Sequence, residues 1–159
     1  MSLLPFFEWM EALQLSVIFR ESIWYTAAIQ AVHLVALTVF MGSVLVVDLR
    51  LLGRGLTQQT VSQVAKDAQP WFILGLVILI VTGIPQMTST AIKQYYSPFF
   101  WLKMEFFLVA IIFTFTLHNK ITRTEESKLG LLWPKIAGIV SMALWAGIAI
   151  QARLIGLLS

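Results

Sequence analysis

Four long apolar runs, near residues 23–52, 70–90, 98–121 and 134–158, are separated by short polar stretches. Each run reaches the roughly 20 residues that an α-helix needs to cross a hydrocarbon core. Backbone groups in lipid need partners within the segment, which favours helices. The pattern therefore predicts an all-α integral membrane protein, a single domain over 1–159 built as a four-transmembrane-helix bundle. Ahead of the first run, Phe6, Trp9, Met10, Leu13 and Val17 recur at helical spacing while Glu8, Glu11, Gln14 and Arg20 fall elsewhere. This predicts an amphipathic helix over 5–20 lying in the membrane interface, with packing of the same segment on the bundle as the alternative. The segment has no basic start and carries two glutamates, so it is not expected to be cleaved as a signal peptide.

Trp24 and Tyr25 open the first span, and Asp48, Arg50 and Gly53 close it. Asp48 and Arg50 read as interfacial anchors. In the loop that follows, Thr57 or Thr60 with Gln63 predicts the cap of a short helix whose Val61, Val64, Ala65 and Ala68 share a face, expected to rest on the membrane surface. Gly75 and Gly83 share one face of the second span, Ala143 and Gly147 one face of the fourth, and Pro85 predicts a kink.

Composition agrees with a lipid solvent. The chain of 159 residues is 58% hydrophobic and 12% charged, with a mean hydropathy of +0.84, and a soluble fold of this size leaves too many residues facing water to hide that surface. The net charge is only +3 and its cations are scattered, which excludes a nucleic-acid surface. The absence of cysteine removes disulfides, thiolate nucleophiles and Cys-ligated metal sites, leaving His, Met and carboxylates as ligands. Seven basic residues, Arg50, Arg54, Lys66, Lys120, Arg123, Lys128 and Lys135, flank the first and third loops, against Arg20, Lys93, Lys103 and Arg153 on the other side. That bias predicts both termini on the outer side of the membrane.

Polar residues inside the spans carry the candidate chemistry. At ~1.5 Å per residue, His33 lies about 15 Å below the outer face, Gln30 about 10 Å and Glu105 about 10 Å. Gln86 and Gln151 come near the outer ends of the second and fourth spans, so four helices bring polar groups to one outer layer, where they are expected to pair around a pocket. Ser22, Thr26, Gln30 and His33 form a stripe on the first helix. The plainer alternative is that the glutamines are interhelical hydrogen-bond glue and that Gln86, Glu105 and Gln151 snorkel toward water. A histidine at mid-depth is a functional candidate by default.

Haem b held by His33 is the cofactor this pattern suggests, with Gln30, Glu105, Gln151 and Met104 around it. His118, the only other histidine, lies about 30 Å from the outer face, some 15 Å deeper than His33, so the two are not expected to clamp one iron. His118 reads instead as interfacial, with metal ligation as its lesser role. A sixth iron ligand would be absent, a methionine such as Met87 or Met104, or supplied by another subunit. Lys103 is expected to snorkel outward. No nucleophile triad, phosphate loop or HExxH motif occurs.

The run HLVALTVFMGSVLVVDLRLLG from His33 to Gly53, with SPFFWLKM at Ser97 to Met104, LH at 117–118 and the closing ARLIG, resembles an uncharacterised family of small bacterial four-helix membrane proteins, a domain of unknown function. More distantly, a histidine in the first helix followed by glycine and an Arg-Leu pair is similar to membrane protoporphyrinogen IX oxidases and copper-resistance membrane domains. The former likeness implies a haem-linked role for His33 and a counterpart lysine at Lys103, although the spacing from that lysine to the later histidine differs here. A b-type cytochrome-like haem protein in redox or electron transfer is the expected function. The rival is a non-enzymatic accessory or structural subunit, working as a homo-oligomer or in a larger membrane complex, whose glycine and alanine faces join helices. A transporter would have to oligomerise to enclose a path.

Overall fold

A computed structural model describes residues 3–124, 130 and 132–158. Among them the chain is all helix, with four helices long and apolar enough to cross a membrane. Lys128, one of the basic residues counted for orientation, lies outside the described residues.

The N-terminal segment is two helices, α1 (Leu4–Ala12) and α2 (Gln14–Glu21), because the backbone turns extended at Leu13. The Ser16 hydroxyl donates to Met10 O across the break at 2.8 Å. The buried face is Phe7, Met10, Ser16 and Phe19, while Phe6 and Trp9 stack on each other at the exposed surface. The segment therefore packs over the end of the bundle where the first span begins, hereafter the outer end, and leaves aromatics exposed there. Glu11 ties it down, accepting from Ile92 N at 2.7 Å and pairing with Arg20 at 2.9 Å.

The first span is α3 (Ile23–Leu51), capped by Ser22, whose side chain accepts from Tyr25 N. The second, α4 (Val61–Ser89), is capped by Thr60, whose hydroxyl accepts from Gln63 N at 3.2 Å. The loop helix expected on the membrane surface is in fact the first two turns of α4. Val61 and Val64 bury into the bundle with Val47, Leu51, Ile121 and Ala137, so their apolar face meets protein rather than headgroups. Pro70 then sits inside the helix, as does Pro85. A short α5 (Ala91–Tyr95) leads to α6 (Pro98–Phe113), which runs through a π-helical turn at Thr114–His118 into α7 (Asn119–Arg123), the three together forming the third span. The fourth span is α8 (Leu132–Leu158).

The interior is tiered. Phe7, Met10, Ala91 and Phe100 fill the outer end, Phe40, Val44, Leu76, Ala110 and Trp145 the middle, and the Val47–Val64 cluster the inner end. Val35, Val81, Leu108, Val109 and Ile139 stay exposed, an apolar outer surface suited to acyl chains. Three of the four small residues expected to join helices pack within the chain. A Cβ on Gly75 would stand 2.9 Å from Phe40 Cβ, one on Gly147 would stand 2.9 Å from the Phe106 ring, and Gly83 faces His33. Only Ala143 of the four remains exposed.

Candidate functional site

Two polar layers lie inside the bundle. The outer one is built on α3 and α4, which pack side by side because glycines on α4 let them approach. Thr82, one residue before Gly83, turns its hydroxyl to both backbone and histidine: Oγ1 lies 2.6 Å from Ile78 O and 2.7 Å from His33 Nδ1. The carbonyl of Ile78 can only accept, and where it takes the single Thr82 proton the hydroxyl presents lone pairs alone to His33. The hydroxyl lone pairs then accept from His33 Nδ1–H, which leaves Nε2 with its lone pair and no partner among the described residues. Gln86 braces the same turn, donating from Nε2 to Thr82 O at 3.0 Å.

From across the bundle, α6 brings Lys103 close enough for its charge to act on the His33 imidazole. Lys103 is half-buried, with no hydrogen-bond or ion-pair partner among the described residues. It does not snorkel fully outward as expected. Gln151 of α8 keeps Oε1 buried and unpartnered. Among the described residues the imidazole Nε2 of His33, the Lys103 side chain and the Gln151 amide oxygen are thus left without hydrogen-bond partners, on α3, α6 and α8.

Gln30, Met104 and Glu105 are not brought into this layer; all three are exposed. Helix rotation is the reason. With Lys103 facing inward, the next two residues turn about 100° and 200° away. Gln30, three residues before His33, is offset by about 60°, enough to reach the outer surface. Thr26 of the expected stripe donates to Phe19 O at 2.6 Å and serves the α2–α3 junction.

The inner layer was not anticipated. Asp48 is 0% exposed and His118 9% exposed, and His118 Nε2 lies 3.0 Å from Asp48 Oδ1. Both residues, read from sequence as interfacial, are instead a buried pair joining the first and third spans. Ser141 of α8 adjoins the same carboxylate but settles into no hydrogen bond of good geometry. The π turn ending at His118 widens the helix here, an irregularity that recurs at functional sites. Beside it a cavity of ≈ 340 Å³ opens between α4 and the third span. No cluster of three or more His, Cys, Asp or Glu side chains able to hold a bare metal ion occurs among the described residues.

Neither a curated protein nor a solved structure matches the chain significantly. A family match covers residues 6–158, nearly the whole length and all four spans. The chain belongs to a family of unknown function, DUF6644.

Proposed function

We propose that the protein is a small membrane haem protein, b-type cytochrome-like, in which His33 would ligate the iron and the bound haem would serve redox or electron transfer. The observation that carries this reading is the Thr82 clamp on His33 Nδ1, which leaves Nε2 as a free donor inside the membrane. Lys103, a cation in the same layer with no counter-ion among the described residues, suits a propionate carboxylate, since buried charge in lipid needs an opposite partner. Gln151 Oε1 is a further unused acceptor. The bound haem would supply the one-electron chemistry. The chain would hold the ligand nitrogen through Thr82 and offer the Lys103 side chain to the acidic edge. The distant likeness to membrane protoporphyrinogen IX oxidases points the same way.

The setting that goes with this reading is a bacterial inner membrane with both termini periplasmic, which rests on the seven-to-four distribution of Lys and Arg. His33 would then lie in the periplasmic half. Electron transfer requires a partner, so a second copy or a larger membrane complex belongs to the proposal.

Full-length protein expressed with ample haem should purify in detergent with a Soret band that His33→Ala abolishes. A colourless wild type, or a band unchanged in His33→Ala, would overturn the proposal. Thr82→Val keeps the shape of Thr82 while removing the acceptor for Nδ1–H. Haem affinity, read by competition with apomyoglobin, should fall about 10–100-fold, the usual effect of losing a partner that orients a ligating histidine. Unchanged affinity would show that Thr82 does not set the ligand.

A further inference from the structure

The cavity at the inner layer is separate from the His33 site and has its own chemistry. Its wall combines apolar side chains, Val47, Phe72 and Phe115 among them, with Ser43, Thr114, His118, Asn119 and Ser141. Ser141 is 1% exposed and lines the cavity, its hydroxyl beside the Asp48 carboxylate but in no hydrogen bond of good geometry. The Thr114 hydroxyl is likewise unpartnered. An unsatisfied hydroxyl costs free energy in a low-dielectric interior unless something enters to meet it.

The rim fixes the sign of the occupant. Lys66 from the first turns of α4 and Arg123 from the end of α7 both line the opening, and neither has an ion pair among the described residues. No carboxylate lines the cavity. Asp48 is fully buried and not part of the lining, with His118 on one of its oxygens and Ser141 beside the carboxylate, and Asp67, next to Lys66, accepts from Gln63 and lines a different hollow. Two cations therefore face an opening with no lining anion to balance them.

The opening also faces lipid. Ile73 and Phe115 line the cavity and are exposed on the apolar flank of the bundle. A molecule lodged there meets cations at the membrane surface, hydroxyls within and hydrocarbon alongside. The volume falls at the small end of ligand pockets, about 300–1,000 Å³, so it takes a headgroup and the first carbons of a chain rather than a whole lipid.

We propose that this cavity binds an anionic amphiphile, a carboxylate or phosphate head on a hydrocarbon chain, with the head between Lys66 and Arg123 and the chain leaving past Ile73 and Phe115. The site stands whether or not His33 carries iron. Native mass spectrometry of the full chain, released from mixed vesicles of phosphatidylcholine and phosphatidylglycerol, should show preferential retention of the anionic lipid. The combined variant K66Q/R123Q alters only exposed side chains and should lower that preference about tenfold or more, the loss expected when charge-assisted hydrogen bonds to an anion are removed. Ser141→Ala should lower it by less. Adding oleate separates the two sources of the same chemistry. Displacement of the lipid by oleate identifies a shared site, and retention of oleate without phosphatidylglycerol identifies a free fatty acid as the occupant. Equal retention of neutral and anionic amphiphiles, or an anionic preference that survives K66Q/R123Q, would overturn the proposal.

Discussion

Asp48→Leu should destabilise the folded protein by about 3 kcal/mol, where the costs of an unsatisfied buried polar group and of a broken buried pair meet. The carboxylate is fully enclosed and is the partner of His118 at 3.0 Å. With leucine in its place, the imidazole stays buried at the junction of the first and third spans with no acceptor. The double variant Asp48→Leu/His118→Leu removes both polar groups and should recover most of the loss, because replacing a buried pair by apolar side chains is often neutral. Reversible unfolding in mixed micelles would measure all three. A single variant as stable as wild type would mean that the pair does not join the helices.

Gly75→Leu should have an effect of similar or greater size by a different route. A Cβ at Gly75 meets not a flexible side-chain end but the Phe40 backbone, 3.0 Å from both Cα and N, and Phe40 Cβ at 2.9 Å. The α3 and α4 axes would have to separate, and the Thr82–His33 bond two turns further along α4 would go with them. Even Gly75→Ala should cost about 1–3 kcal/mol as overpacking. Gly42→Ala is the control. It lies inside α3 with nothing within 4 Å of its Cβ position, so the better helix propensity of alanine should leave stability unchanged or raise it by up to about 1 kcal/mol. If Gly75→Ala melted at or above wild type in detergent, the close α3–α4 contact would be wrong.

Hydropathy alone was enough to find the four spans, because lipid imposes length and composition on any helix that crosses it. The start of the second span was harder to read. Pro70 looks like a first-turn residue, and the eight residues before it are polar enough to pass for a surface helix, yet the proline sits within one continuous α4. Valines 61 and 64 carried the contrary signal, since an apolar pair on the same face as Ala65 and Ala68 can equally seal the end of a bundle.

The candidate site was legible in part for reasons of helix rotation. His33 stood out because an ionisable group at mid-depth is costly without a role. Its partner Thr82 carried no such signal, since a threonine in a membrane helix can satisfy itself on the preceding turn, as Thr82 also does at Ile78 O. Glu105 and Met104 share the right depth but the wrong face. Depth is read from residue number, whereas facing depends on which side of α6 packs against α8, and that is set by contacts such as Phe106 against Gly147. The Asp48–His118 pair was hidden by its position. An acid and a basic residue near the inner ends of helices read as anchors at the water boundary, and only the burial of both by Ser141 and the inner core reveals the pair.

The functional account depends on which nitrogen of His33 carries the proton. Nitrogen-15 NMR of the haem-free protein in micelles, with His33 assigned through His33→Ala, tests it directly at a pH where the ring is neutral. The account predicts a protonated Nδ1 and an unprotonated Nε2, reverting toward the ordinary Nε2–H form in Thr82→Val. An Nε2–H tautomer in the wild type would put the lone pair on Nδ1, facing the Thr82 hydroxyl rather than a ligand, and would contradict it.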